Sequence, residues 1–464
     1  MPWTRGRANL DATLALLGAA FAWVPFVPRL LRAAFTGARD RRATVELLRS
    51  GAATPAAEPP AADPRPIRAL IVAGEPSGDL HAGDLAAAIL RTAPGSRIEA
   101  VGGPRLRAAG ATLLHDLVSD PVMGVWPVVR RAPTFFRLYR DLLVRLADDP
   151  PDVVVGVDYP GLNLRLARAA RRRGVPFVLY VAPQVWAWAP WRARTIARDV
   201  TLVLPILPFE QAVFEAAGAR VAYVGHPLFG HLARRPADEA YRASLRAGVA
   251  PGGALVALMP GSRRSEVRAN LPLLVAAASH ASAARTGLRF VVPLAAERLR
   301  PLVEEGLRAA TLDAAVAPPE RSDDAMAAAD AAVTVSGTAT LHLAAHGVPG
   351  VVVYRASAAS RALSRLLLVS PWIALPNLLA GDEVLPEFLA GPGDGPRVGE
   401  ALLRLLPGGE GREQATAALR ALRERLTDPA VADRAARWVL ATAIPPRATS
   451  PRPSPAPPAP SPGG

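Results

Sequence analysis

Short apolar runs alternate along this chain with longer Ala/Arg/Leu-rich stretches, and that alternation constrains the fold more than any other feature. Arg68–Ala73, Val153–Val157, Phe177–Val181, Thr201–Leu204 and Val221–Val224 are such runs, most of them followed by a helix-length stretch. The pattern restarts near Pro251 with Ala254–Met259, Phe290–Val292, Ala314–Ala317, Ala331–Val335 and Gly350–Val353. Runs that are apolar throughout mark strands buried on both faces, and helices between them provide the crossovers that parallel strands require. The expectation is an α/β protein with two Rossmann-like halves joined near residue 230. In such sheets ligands bind beyond the carboxyl ends of the strands, so a cleft between the halves is the expected site.

With 464 residues the chain is long enough for two full cores and tails. It has no cysteine, which excludes disulfides, thiolate metal sites and a cysteine nucleophile. It also has no lysine: all 54 basic residues are arginines, so Schiff-base chemistry and a P-loop lysine are excluded. The net charge of +14 is spread thinly among acids, with clusters such as Arg171-Arg172-Arg173 and the pairs near 41, 130 and 263. Solvated helix faces explain most of it, and a surface for anionic lipid or phosphorylated substrate comes next. No basic motif with interleaved aromatics is present, so no nucleic-acid partner is expected.

Five segments follow. Residues 1–45 are apolar and then basic: 12–28 carry no charge, and Arg29, Arg32, Arg39, Arg41 and Arg42 come after. Seventeen residues ending in Pro25 and Pro28 are short for a spanning helix, so the segment is expected to anchor in the membrane or lie in its interface. The heavier basic flank sits on the wrong side for a cleaved export signal and keeps the downstream chain on the cytoplasmic side. Residues 46–66 read as a Pro/Ala linker, 67–230 and 231–444 as the two Rossmann-like domains, and 445–464 as a Pro/Ser/Ala-rich disordered tail.

Two glycine-bearing turns, Leu258-Met259-Pro260-Gly261-Ser262-Arg263 and Val335-Ser336-Gly337-Thr338-Ala339-Thr340, each follow a strand-like run and open a helix-like stretch. Either alone is an ordinary strand-to-helix connection. Together they suit a pyrophosphate, because glycine allows close approach, first-turn N–H groups face the anion, and Arg263 adds a forked cation. Asp158 closes the run Asp152–Asp158 at the carboxyl edge of a strand, where it is either a general base for a hydroxyl or a cap for the helix near Gly161. Glu75 and Asp79 raise the same choice between capping and acceptor positioning. Trp186 and Trp188 follow a strand directly, as a stacking or lipid-facing surface or as core. The apolar stretch 122–131 is a buried helix or an acyl-chain element. His342 and His346 share a helix face, but no third ligand is visible nearby, so no metal site is expected.

Taken in order, these motifs resemble the lipid-A-disaccharide synthase family of GT-B glycosyltransferases over about residues 68–440. The carriers are Gly74-Glu-Pro-Ser-Gly-Asp79-Leu-His81, Gly102-Gly-Pro104, Val122-Met-Gly124, Gly156-Val-Asp158-Tyr-Pro-Gly-Leu-Asn163, Pro183-Gln-Val-Trp-Ala-Trp188, Leu207-Pro-Phe-Glu210, Gly225-His-Pro-Leu228, Leu258–Arg263, Ser336–Leu341 and Leu375-Pro-Asn-Leu-Leu-Ala-Gly381. The resemblance implies transfer of 2,3-diacylglucosamine from UDP to 2,3-diacylglucosamine 1-phosphate, forming a β-1,6 disaccharide phosphate without a cofactor or metal. Its partners are then a UDP-activated acylated sugar, an acylated sugar phosphate and the membrane surface; oligomeric state stays open. The implied catalytic residues are Asp158 and Arg263. Implied donor contacts come from Gly261, Ser262, Ser336, Gly337, Thr338, Ala339, Thr340, His342, Asn377 and Glu387, with Arg355 also lining the cleft. Implied acceptor contacts come from Gly74, Glu75, Ser77, Gly78, Asp79, Met123, Gln184 and Trp186. The chain departs from the family pattern at Gly161 and His342, each in place of an acidic residue, at Pro127 in place of glutamate and at Ala390 in place of glutamine. These departures leave a second reading open: a relative acting on another lipid-linked or nucleotide sugar, or a lipid-binding scaffold.

Overall fold

The computed structural model describes residues 45–49, 51, 54–60, 65–118, 132–188, 191–235, 237–355, 370, 372–391 and 393–443. The first half builds a sheet from β1 (Arg68–Ala73), β2 (Arg97–Gly102), β3 (Thr112–Asp116), β4 (Val153–Val157), β5 (Phe177–Tyr180) and β6 (Leu202–Leu204). The second half builds another from β7 (Ala254–Met259), β8 (Leu288–Pro293), β9 (Ala314–Ala317), β10 (Ala331–Val335), β11 (Gly350–Arg355) and β12 (Glu387–Ala390). The strand orders are β3-β2-β1-β4-β5-β6 and β12-β11-β10-β7-β8-β9, and all pairings are parallel. Each sheet is therefore doubly wound, and its winding reverses between two central strands: β1 and β4 in one lobe, β7 and β10 in the other.

Alternation along the strands explains the two-sided burial. In β1, Ile71 packs with Leu85 and Ile89 of the Pro76–Thr92 helix, while Leu70 and Val72 face the other way onto Leu142 and Leu146 of the Ala132–Asp148 helix. All of these side chains are buried.

Several expectations need correction. Val221–Val224 is not a strand; it contributes one bridge, Val203 to Val221. Three strands, β2, β3 and β12, lie outside the apolar runs. β3 and β12 are edge strands, β3 with exposed and half-exposed residues and β12 with mostly half-exposed ones, and polar residues keep them from a continuous apolar signature. In β2, Glu99 is held by Arg145 at 2.6 Å, a charge inside a strand that breaks the apolar run.

The division at 230 also fails at the chain's end. The Val431–Thr442 helix leaves the second half and buries Val431, Ala432, Ala435, Ala436 and Val439 in the core of the first lobe. Its apolar face repeats at i and i+4, and that stripe completes the face of the first sheet. Nor is 46–66 a free linker. Residues 45–49 are helical, and Leu48 is buried with Phe209 and Leu378. Farther on, the Ala57 N–H donates to Tyr223 O at 2.6 Å and Ala57 O accepts from Trp438 Nε1 at 3.1 Å. The apolar-basic segment up to residue 44, the stretch 119–131 and the tail from 444 lie outside the described residues. Among the described residues, no helix is long and apolar enough to cross a membrane.

Candidate active site

Four loops leave the central strands at the two points where the winding reverses. Ala73 pairs with Val157, so Gly74-Glu75 and Asp158-Tyr159 emerge side by side. Met259 pairs with Thr334, which likewise brings Pro260–Arg263 beside Ser336-Gly337. This is the position where open α/β sheets bind ligands. The lobes touch here: Arg263 Nη2 lies 3.3 Å from the Glu75 carboxylate.

Asp158 and Tyr159 both adopt left-handed backbone conformations, with φ of 50° and 48°. Two consecutive non-glycine residues in this region cost about 1–3 kcal/mol each. Buried Asn163 holds them there, donating from Nδ2 to Asp158 O at 2.7 Å and to Val72 O at 3.2 Å. The Tyr159 ring lies over Gly74, where a Cβ would come within 2.4 Å of it, so only glycine fits at 74. The bend leaves the Asp158 carboxyl within reach of the Glu75 charge. Burial, and then the charge of Glu75, pushes that carboxyl up to about 6, against an opposing hydrogen bond from the Tyr159 backbone. The Asp158 side chain does not cap the Pro160–Arg171 helix: the residue before that helix is Tyr159, and no side-chain cap is made.

The two glycine turns differ. At the first, the Glu266 carboxylate accepts from Ser262 N–H at 2.9 Å, Arg263 N–H at 3.3 Å and Arg263 Nη1 at 2.6 Å. A Cβ at Gly261 would meet Glu266 at 2.7 Å. An internal carboxylate thus fills the place read from sequence as an anion cradle, leaving the Arg263 fork shared between Glu266 and Glu75. Burial works to raise the Glu266 pKa, but the hydrogen bonds from Arg263 and Ser262 and the Arg263 charge together outweigh it and hold the carboxyl below its usual range. At the second turn the space is open. Gly337 has a φ of 141°, and a Cβ there would meet nothing within 4 Å. Helix geometry leaves the N–H groups of Thr338 and Ala339 without intrahelical acceptors, at the positive end of the Thr338–His346 helix. Ser336 Oγ accepts from the Tyr354 hydroxyl, and Thr340 Oγ1 donates to Gly337 O at 2.8 Å, which fixes the turn.

Other expected contacts prove structural. The Asp79 carboxylate is buried and accepts from Gly103 N–H at 2.8 Å, Arg105 N–H at 2.9 Å and Leu106 N–H at 3.3 Å. It caps the Pro104–Ala108 helix and has no face left for an acceptor. Trp186 is core: its Nε1 donates to buried Glu210 at 3.1 Å and its ring meets Phe209 edge-on. Asn377 is wholly buried and spends its amide on Leu385 O, Glu387, and the N–H groups of Val384 and Leu385. Glu387 also accepts from Ile373 and Ala374 N–H, and burial raises its pKa. Arg355 donates to Ala269 O. Ser77 and Gly78 lie in the first turn of the Pro76–Thr92 helix beside Asp158, and Gln184 is exposed. Met123 lies outside the described residues. Sequence reading missed Asn163 and Glu266 as functional supports. Their signals were present: an amide five residues after Asp158, and a glutamate three after Arg263 at a helix start.

His342 faces Asp323 rather than open solvent, with Nδ1 to Oδ1 at 2.6 Å. Asp323 also supplies the third acidic or imidazole group that the neighbourhood of His342 and His346 lacks in sequence: the three lie within 4.8 Å of one another.

Comparisons with known proteins agree with this architecture. A sequence model of the Lipid-A-disaccharide synthetase family matches residues 69–437. Lipid-A-disaccharide synthase of Myxococcus xanthus (strain DK1622) is 39% identical over 386 residues, covering 82% of this chain and 99% of that protein. The enzyme of that name from Anaeromyxobacter dehalogenans (strain 2CP-1 / ATCC BAA-258) is 40% identical over 372 residues, covering 80% and 96%. Among solved structures, UDP-GlcNAc 2-epimerase from Neisseria meningitidis bound to UDP-GlcNAc superposes with a TM-score of 0.53 at 11% identity, covering 79% of this chain and 96% of that one. The S. aureus MnaA–UDP co-structure gives 0.52 at 12% identity, covering 79% and 94%. At these identities the likeness shows the shared two-lobed fold. The chain belongs to the lipid-A-disaccharide synthetase family and is a hexosyltransferase of lipid A disaccharide synthesis, using a UDP-sugar donor and a lipid-linked sugar acceptor.

Proposed function

We propose that the chain transfers 2,3-diacylglucosamine from UDP to the 6-hydroxyl of 2,3-diacylglucosamine 1-phosphate, with inversion, in the cleft between the lobes. Asp158 takes the hydroxyl proton as the acceptor oxygen attacks the anomeric carbon. The bond from that carbon to the diphosphate oxygen breaks, and UDP departs carrying the negative charge. Arg263 and the N–H groups of Thr338 and Ala339 stabilise that charge. Glu75 holds Arg263 between substrates and, beside Asp158, keeps the base weakly acidic. A carboxyl at about 6 is mostly ionised at neutral pH yet basic enough to share a proton in the transition state.

The observation that carries this reading is Glu75. It pairs with Arg263, and its charge adds to the burial that raises the Asp158 pKa, so one carboxylate links the proposed base to the proposed phosphate clamp. The acylated substrates would be taken at the cytoplasmic surface of the inner membrane, which the uncharged stretch 12–28 and the arginines after it favour. The test is incubation with both acylated sugars, following UDP release and the mass of the product. Release of UDP with a disaccharide phosphate product supports the reading. Binding of UDP without turnover of these sugars would redirect it to another acceptor.

A further inference from the structure

Five of the chain's seven histidines, His81, His226, His231, His342 and His346, are close enough to influence one another or a shared carboxylate where the lobes meet. Of these, His81, His226 and His231 lack the shared carboxylate that joins the other two. His81 and His226 are buried and pushed down to about 4 and about 3 by that burial, so they are neutral at physiological pH. His231 pairs with Asp84 at 3.0 Å. The remaining two present a different geometry.

His342 and His346 stand one turn apart on the Thr338–His346 helix, and Asp323 comes from the Ser322–Ala327 helix packed against it. Both imidazoles face the same oxygen: Asp323 Oδ1 is 2.6 Å from His342 Nδ1 and 3.8 Å from His346 Nε2. The other carboxylate oxygen, Oδ2, accepts from Arg235 Nη1 at 2.7 Å. Among the described residues, buried His346 Nε2 has no hydrogen-bond partner. One proton satisfies the His342–Asp323 contact but leaves the second nitrogen unserved, and a buried unserved polar atom costs about 1–3 kcal/mol.

We propose that Asp323, His342 and His346 form a binding site for a divalent transition-metal ion in the second lobe, on the helix that follows the Gly337 turn. A cation accepts lone pairs from all three groups at once, which a proton cannot do. Ligand bonds of about 2.0–2.2 Å on a tetrahedron place the donor atoms about 3.3–3.6 Å apart. The 2.6 Å contact must therefore open, and the 3.8 Å contact close, by about an ångström or less. Two imidazoles and one carboxylate favour zinc, cobalt or nickel over magnesium or calcium. Arg235 orients the carboxylate from the outer shell, and the side chains remain 14–21% exposed, which leaves room for a water as fourth ligand. Its effect would be to tie the helix behind the Gly337 turn to the Ser322–Ala327 helix and, through Arg235, to the segment joining the lobes.

The full chain, stripped with EDTA and dialysed, is titrated with Co²⁺ by visible absorption and with Zn²⁺ by calorimetry. The expected result is one ion per chain with a tetrahedral Co²⁺ spectrum. His346→Ala and Asp323→Asn should each weaken binding at least tenfold, the usual scale for loss of a ligand or its support. His231→Ala should leave it within twofold. His346→Ala is decisive even if Asp323→Asn misfolds, because His346 Nε2 has no hydrogen bond to lose. A silent titration at millimolar metal overturns the proposal, as does an affinity unchanged in His346→Ala.

Discussion

Replacing Asp158 by asparagine should make the protein more stable and far less active. The carboxyl sits at about 6 in the folded chain against a model-peptide value of 3.8. Folding thus favours the protonated form. Between pH 4 and 6 the folded state holds more protons than the unfolded chain, so stability falls as pH rises through that window. Above it the whole penalty is present. At about 1.4 kcal/mol per pKa unit the ceiling is about 3 kcal/mol, and partial exposure of the side chain brings it to roughly 2 kcal/mol. Asparagine keeps the size, tolerates the left-handed backbone at φ 50° and carries no charge to desolvate. Calorimetric melting should therefore show Asp158→Asn several degrees above wild type at pH 8, at about 2–4 °C per kcal/mol for a lobe of this size, and level with it at pH 4. In the same samples UDP release should fall about 10²–10⁴-fold, the usual contribution of a positioned base. The wild-type kcat/KM should lose activity below an apparent pKa near 6. An unchanged rate in Asp158→Asn, or a stability gain equal at pH 4 and pH 8, would refute the assignment of a strained, desolvated base.

Arg263→Ala should lower kcat about 10²–10³-fold, the loss seen when one charge-stabilising donor is removed, as measured by initial UDP release. Gly337→Val places a side chain in the open turn at a φ of 141°, and calorimetric UDP affinity should fall at least tenfold. Trp186→Ala should cost about 3–5 kcal/mol of unfolding free energy in urea. It should leave the acceptor KM of the folded fraction near wild type; a raised KM with normal stability would restore Trp186 to the acceptor site. Asp79→Ala leaves buried N–H groups of Gly103 and Leu106 unserved and should destabilise by about 2–4 kcal/mol, with the melt as readout.

The central strands were legible because they are buried on both faces: β1, β4, β7 and β10 begin and end where the apolar runs do. Edge strands β3 and β12 were not, since Thr112, His115 and Asp116 in one and Glu387 in the other interrupt any such run. Strand order was beyond reach of a linear pattern, and it is the order that brings Glu75 beside Asp158. At the site, sequence identified the turns and the carboxylates but not which were already engaged. Asp79, Asn377 and Trp186 resemble ligand contacts as isolated residue types, yet each is consumed by partners 7 to 27 positions away in sequence. The docking of Val431–Thr442 onto the first lobe was equally hidden, because an amphipathic stripe shows that a helix is covered without naming what covers it.

The most direct measurement is a crystal structure of the chain with UDP. The account predicts the diphosphate within about 3 Å of the Thr338 and Ala339 N–H groups, with Arg263 turned from Glu75 onto the phosphate and Asp158 across the gap. A diphosphate held elsewhere, with the Arg263–Glu75 pair intact, would contradict it.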